Sequence, residues 1–211
     1  MTENRRLASA AALRALNHAF VAHDADDGAL EAISAFATTM LVTLLSGRRR
    51  DRSAMLSAHV GQMFAMDARD PGRRAANPMA DRAVGGPANP LAAEFDVEYE
   101  TNEVVVRTVL GAAYEGAPGR AHGGMVAALF DDITGFVLPL VGTPAYTGRL
   151  TVHYHRPVPI EVPLEFRTSI RSRDGRKLHA EARCTADGER VATADVLFIT
   201  VDGGQFGRSP A

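Results

Sequence analysis

The chain has 211 residues, 46% of them hydrophobic and 23% charged, with a formal net charge of −2. That composition is of an ordinary globular protein, and the lack of a basic excess argues against nucleic acid as a partner. The single Cys184 excludes an intrachain disulfide framework and fits a reducing compartment, so the cytoplasm is the expected location.

The chain opens as alanine-rich helix. Arg5 and Arg6 precede an apolar run, but Arg14, Asn17 and His18 interrupt it, unlike the core of a signal peptide. Leu13, Leu16, Phe20 and Val21 follow helical spacing, and Asp24-Ala25-Asp26-Asp27-Gly28 supplies a turn with carboxylates suited to capping a second helix. Ile33, Phe36, Ala37, Met40, Leu41, Leu44 and Leu45 mark one face of that helix. The apolar window from Ile33 to Leu45 falls short of the roughly 18 residues of a membrane span, so a core or interface helix is expected and no span. Gly47 ends it, and Arg48-Arg49-Arg50 follow where cations suit the helix dipole. Weak periodicity from Met55 to Met66 suggests one further helix, which makes residues 1–70 a helical extension. Residues 71–90 are rich in Pro, Gly and Asn and read as a linker.

The hydrophobic period then changes from helical to alternating. Phe95, Val97 and Tyr99 alternate with acidic residues, and Val104 to Leu110 follows Thr101-Asn102-Glu103 as the second arm of a hairpin. Next comes Arg120-Ala121-His122-Gly123-Gly124-Met125-Val126-Ala127-Ala128-Leu129-Phe130-Asp131-Asp132, an apolar helix opened by His-Gly-Gly and carrying two carboxylates. Gly124, Ala128, Asp131 and Gly135 form a small-residue face, and Val126, Leu129 or Phe130, Ile133 and Val137 form a bulky one. Four strand-like segments complete the set: Thr147–Tyr154, Leu164–Arg171, Lys177–Thr185 and Arg190–Val201, the last three joined through Asp174-Gly175 and Asp187-Gly188. The expectation is an α+β domain over residues 91–202, an antiparallel sheet with one buried helix, followed by a flexible tail at 203–211.

Two glycines at a helix start leave the first-turn N–H groups open to a ligand, where helix dipole and free donors favour negative charge. A carboxylate in an apolar helix is costly unless partnered or used, which singles out Asp131 on the small-residue face. Asp132 lies about 100° round the helix and reads as supporting or structural. Gly123 and Asp131 are eight residues apart, so one helix separates them by about 12 Å. Groups acting on one carbonyl must lie within hydrogen-bond reach of it or one water away. If both act, Asp131 of one copy must serve Gly123 of another. His153 and His155 have a spacing two metal ligands could use, but no third ligand completes a set, and no metal is expected. No Gly-x-Ser-x-Gly elbow occurs.

The blocks Tyr114-Glu115-Gly116-x-Pro118-Gly119-x-x-His122-Gly123-Gly124, Asp131 nine residues after His122, and Thr147-x-x-Leu150-x-Val152-x-Tyr154-x-Arg156-Pro157-x-Pro159 together resemble the hotdog-fold acyl-CoA thioesterases, in particular the PaaI-like group. The resemblance runs from about Asn89 to Val201. It implies a hotdog fold, with the sheet wrapped round the central helix, here carrying an N-terminal helical extension. It implies pairing of two copies, and hydrolysis of acyl-CoA to free acid and CoA without metal or redox cofactor. Carried over by position, the Gly123 N–H polarises the carbonyl, Asp131 is general base or nucleophile, and His122 and Thr147 position substrate, water or the carboxylate. Gly124 and Asp132 are assigned to the substrate's surroundings, and Arg120 and Arg156, with Arg149, are candidates for the CoA phosphates. The competing readings are a non-catalytic acyl-CoA-binding hotdog protein and a hotdog hydratase.

Overall fold

The computed structural model describes residues 2–51, 73–74 and 80–202. The expected helix at Met55–Met66 and the tail at 203–211 lie outside these residues. Two helices come first, α1 (Thr2–Ala22) and α2 (Asp27–Leu45), the second capped by Asp26, whose carboxylate accepts the Ala29 N–H at 2.8 Å. The strands that follow are β1 (Arg73–Arg74), β2 (Asp96–Tyr99), β3 (Glu103–Val109), β4 (Glu115–Ala117) and β5 (Arg120–Ala121). A 3₁₀ turn at Ala112–Tyr114 separates β3 from β4. Then come α3 (Gly123–Thr134), a 3₁₀ turn at Gly135–Val137, and α4 (Leu138–Val141), which Gly142 closes in the left-handed conformation. Strands β6 (Ala145–Tyr154), β7 (Pro163–Asp174), β8 (Lys177–Ala186) and β9 (Glu189–Thr200) end the described chain.

Seven strands form one antiparallel sheet in the order β1-β2-β3-β7-β8-β9-β6, and α3 lies across one face, so the expected fold class is observed. The sheet can take a helix because its middle is built from small residues: Ala182 pairs with Ala194, and Cys184 with Ala192. Phe166 and Phe198 flank that shallow trough, and Phe130 of α3 meets Phe166 edge to face at 5.2 Å. Val126, Leu129, Phe130 and Ile133 are fully buried there. The opposite face carries ladders of opposite charge, including Arg107 with Glu98 and Glu165, and Arg167 with Glu100, Glu103 and Glu165. One face is core and the other is polar, as alternation in an antiparallel sheet dictates.

Of the two expected hairpin turns, Asp187-Gly188 has both residues at positive φ, as a type I′ turn requires. The other falls one residue later than expected, on Gly175-Arg176, because Asp174 still pairs with Lys177. Composition marked 71–90 as a linker, yet Arg73–Arg74 pairs with β2, and Gly85, Gly86 and Ala88 are buried. Those glycines permit close packing rather than looseness. A Cβ on Gly85 would come 2.1 Å from the Phe95 ring, and one on Gly86 would come 2.3 Å from the Arg82 nitrogen.

The extension is attached through α1. Arg14, which interrupts the apolar run, is 6% exposed and donates to the carbonyls of Ala92 (2.5 Å), Asn89 (3.1 Å) and Pro87 (3.2 Å) and to Glu94 (2.6 Å). A buried guanidinium needs such a set of acceptors. His18 Nδ1 accepts the Ala113 N–H at 3.0 Å, and its ring lies 5.0 Å from that of Tyr114. Burial and then Arg14 push the His18 imidazole below its ordinary range, in keeping with a neutral ring that accepts a hydrogen bond. Helix α2 has no buried residue. By length and composition alone, Asp27–Leu45 is apolar enough to cross a membrane, a longer stretch than the Ile33–Leu45 window counted from sequence, and the buried core run Gly123–Val141 passes the same test.

Candidate active site

The start of α3 is held from three sides. His122 is its N-cap, in extended backbone, and its Nδ1 accepts the Gly124 N–H at 3.1 Å. The His122 N–H donates to the Tyr114 carbonyl at 2.8 Å, which ties the helix start to the turn gripped by His18 of α1. The Tyr154 hydroxyl of β6 donates to the Gly123 carbonyl at 2.6 Å. Gly116 lets the β4–β5 loop close against the cap, since a Cβ there would sit 2.8 Å from His122 Cα.

The consequence for chemistry concerns which N–H groups remain available. Gly124 spends its N–H on His122, so its contribution to a substrate is room rather than that donor. Gly123, the first residue of the helix, has no acceptor for its N–H among the described residues. Both glycines are exposed. A free donor at the positive end of a helix, open to approach, is the arrangement that stabilises an oxyanion.

Gly124, Ala128, Asp131 and Gly135 form the uncovered side of α3, Asp131 itself exposed, and the bulky residues lie buried against the sheet. Beside this stripe runs β6, which among the described residues pairs only with β9 and has its other edge open. Thr147 pairs with Phe198 and Tyr154 with Ala192, both core residues, so these two side chains belong to the helix side of the sheet and extend the uncovered surface. A ten-residue exposed edge is normally covered or blunted. Here it adjoins the helix face that carries the carboxylate.

Asp132 has a different environment. It is 16% exposed, 3.4 Å from Arg82 Nη2, and accepts the Gly85 backbone N–H. Arg82, 17% exposed, stacks on Phe136 with its guanidinium carbon 4.7 Å from the ring centre. Burial, followed by the neighbouring Asp131, pushes the Asp132 carboxyl above its ordinary range, against the opposing pull of Arg82. Asp132 therefore faces Arg82 and Gly85 inside the molecule, off the exposed stripe that carries Asp131.

The arginines divide. Arg156 pairs with Glu189 at 3.0 Å, whereas Arg120 is exposed on β5, two residues before His122. Arg149 borders a hollow with Arg171, His179 and Asp195, away from the α3 stripe. His153 lies 3.7 Å from Asp195 and His155 Nε2 is 2.9 Å from Thr193, and no group of three metal-ligand side chains occurs among the described residues. Cys184 is buried in β8, and burial pushes its thiol up to about 12, as for an inert core residue.

Tyr154 and Arg82 are the residues that sequence reasoning did not single out. Tyr154 was visible only as part of the β6 pattern, and its bond to Gly123 is a product of tertiary packing. Tyr154→Phe keeps the ring and removes that bond. The side chain is half exposed, so the expected stability loss is about 0.5–1.5 kcal/mol at most, read by chemical denaturation.

Residues 118–193 match the family model described as the thioesterase superfamily. The chain is 31% identical over 114 residues to the acyl-coenzyme A thioesterase THEM4 of Mus musculus, covering 51% of this chain and 49% of that protein. It is 29% identical over 91 residues to THEM4 of Xenopus laevis, with 42% and 41% covered. The chain thus spans about half the length of the curated relatives it matches. A solved thioesterase superfamily protein, RHA08564, is 25% identical with a TM-score of 0.73, over 92% of this chain and 90% of that one. The resemblance expected from the sequence is borne out at the level of the superfamily.

Proposed function

With its segment 118–193 matching the thioesterase superfamily on a sheet wrapped round α3, we propose that the protein is an acyl-CoA thioesterase acting as a homo-oligomer. The observation that carries the reading is the Gly123 N–H, unclaimed among the described residues, at the start of a helix whose small-residue side carries the exposed Asp131.

Attack on a thioester moves an electron pair onto the carbonyl oxygen. The Gly123 N–H donates to that oxygen as charge develops, and such a donor is worth about 2.7–4 kcal/mol of barrier. His122 fixes the donor's direction: its ring holds Gly124, and its own N–H is held by Tyr114. Tyr154, donating to the Gly123 carbonyl, orients the same residue from the other side. Burial raises the Tyr154 phenol, which keeps it a donor. Asp131 removes the proton from a water that attacks the carbonyl carbon. The C–S bond then breaks, CoA leaves as the thiol with that proton, and the acid remains. Asp131 can alternatively attack directly, giving an acyl-enzyme anhydride that water cleaves.

Asp131 and Gly123 sit about 12 Å apart along α3, so the catalytic carboxylate comes from a second copy. The open β6 edge and the uncovered side of α3 support that pairing, because a copy seated there brings its own helix stripe towards this one. Thr147, on the same surface, is assigned to positioning the water or the carboxylate. Arg120 is the better placed cation for the CoA phosphates, since Arg156 is engaged by Glu189. The single buried cysteine supports a reducing compartment, and the cytoplasm is the proposed location. The test is release of free thiol from short-, medium- and long-chain acyl-CoAs, followed with a thiol reagent. Turnover of at least one chain length is expected. Binding of acyl-CoA without thiol release makes the protein a carrier instead.

A further inference from the structure

The N-terminal extension reaches the candidate active site through one side chain. Arg14 already fastens α1 to the segment before β2, donating to Pro87, Asn89, Ala92 and Glu94. His18, about one turn further along α1, makes its contact elsewhere. Its Nδ1 accepts the Ala113 N–H at 3.0 Å, and its ring meets that of Tyr114 edge to face. The 3₁₀ turn that carries both residues is closed by the Tyr114 N–H, which donates to the Gly111 carbonyl at 3.0 Å, and the Tyr114 hydroxyl donates to the Leu91 carbonyl at 2.9 Å. The Tyr114 carbonyl receives the His122 N–H at 2.8 Å, and His122 Nδ1 receives the Gly124 N–H at 3.1 Å. A continuous series of hydrogen bonds thus runs from α1 to the first turn of α3.

We infer that His18 is a positioning residue for the Gly123 N–H, which makes α1 part of the scaffold of the site. For its effect on turnover the inference rests on the hydrolase reading above. Three observations support it. First, the turn is shaped to admit the ring: a Cβ on Gly111 would lie 2.6 Å from His18 Nδ1 and 2.9 Å from its Cε1 and Cγ. Gly111 has a φ of −86°, open to any residue, so what glycine supplies there is room. Second, the bond requires a neutral imidazole, because a protonated ring has no acceptor. Burial and then Arg14 disfavour protonation of His18, so Nδ1 stays an acceptor. Third, the anchoring of α1 is supplied by Arg14, and the His18 bond goes to the one turn that holds the His122 backbone. An oxyanion donor has little tolerance for displacement, since a shift of about 1 Å in a reacting group can cost about 10²-fold in rate.

The test compares the full chain with His18→Phe and His18→Asn. Phenylalanine keeps a ring beside Tyr114 and loses the acceptor, whereas asparagine places an amide oxygen where histidine carries Nδ1. His18→Phe should lower kcat for acyl-CoA hydrolysis about 10- to 100-fold, with KM within about twofold of wild type. It should also shift the Gly123 and Gly124 amide signals in a nitrogen–proton correlation spectrum. His18→Asn should bring back both kcat and the two signals. Unchanged kcat with unshifted signals in His18→Phe overturns the inference, and so does a His18→Asn variant as impaired as His18→Phe. If circular dichroism shows His18→Phe to be unfolded, Gly111→Ala reaches the same contact from the turn, because its Cβ displaces the ring. Unshifted glycine signals in that variant overturn the inference. On a His18→Ala background, where the space is vacated, Gly111→Ala should cost nothing further, and full additivity of the two losses overturns the shared contact. If the wild type releases no thiol from any acyl-CoA, the hydrolase reading falls, and the amide signals by themselves still decide whether His18 sets the start of α3.

Discussion

Asp131→Asn should lower kcat by about 10²–10⁴, the range for loss of a positioned general base, while thermal stability stays within about 0.5 kcal/mol of wild type. The two halves of that result follow from one fact. Asp131 is exposed on the uncovered side of α3 and makes no packing contribution to the core. The amide is nearly isosteric and still accepts a hydrogen bond, so substrate binding and KM should change little. A loss confined to kcat marks an interaction made only in the transition state. A comparable loss of stability would instead mark Asp131 as structural. Unchanged turnover would remove it from the mechanism.

The adjacent carboxylate predicts the reverse pattern. Arg82→Met keeps most of the side-chain volume over Phe136 but removes the counter-charge of Asp132. Deleting one partner of this largely covered pair leaves the other without its counter-charge and should cost about 1–3 kcal/mol. For a chain of this size that is roughly 2–12 °C in Tm. The deficit also has a pH signature. Burial already holds the Asp132 carboxyl above its ordinary range, and loss of Arg82 raises it further. In strong acid Asp132 is protonated in both folded and unfolded chains, there is no charge to bury, and the variant should be closest to wild type. As pH rises through the ordinary carboxylate range, the unfolded chain ionises while the folded one resists, so the deficit grows towards neutrality. Unfolding curves from pH 3 to pH 7 measure it. A deficit independent of pH would mean that Arg82 acts by packing over Phe136 alone.

What could be read from the sequence was what helical and strand periods dictate. The hydrophobic periods placed the strands and the buried helix with its small and bulky faces, and the three blocks around His122, Asp131 and Thr147 carried the resemblance that implied the wrapped sheet. The same regularity gave the spacing between Gly123 and Asp131. Less visible were contacts that join distant segments. The bond from Tyr154 to the Gly123 carbonyl depends on β6 passing the start of α3, which no local pattern encodes. Arg82 lay in a stretch whose glycines and prolines suggested a loose connection, yet Gly85 and Gly86 are there because the backbone packs too closely for any Cβ. Arg14 appeared as a break in an apolar run and proves to be the anchor of the extension. The apolar positions of α2 were read as one face. Burial separates one face from another, and in the single chain α2 has no buried face.

If each site takes Gly123 from one copy and Asp131 from another, mixing two inactive variants should restore activity. Gly123→Pro removes the N–H at the first helical position, where proline is tolerated. His122 before it already has the extended backbone that a following proline requires. Asp131→Asn removes the carboxylate. Each alone should be inactive. After unfolding and refolding of a 1:1 mixture, about half the dimers should be mixed, each with one intact and one doubly defective site, so about a quarter of wild-type turnover should return. If both groups act within one chain, no intact site can form and the mixture stays as inactive as its components.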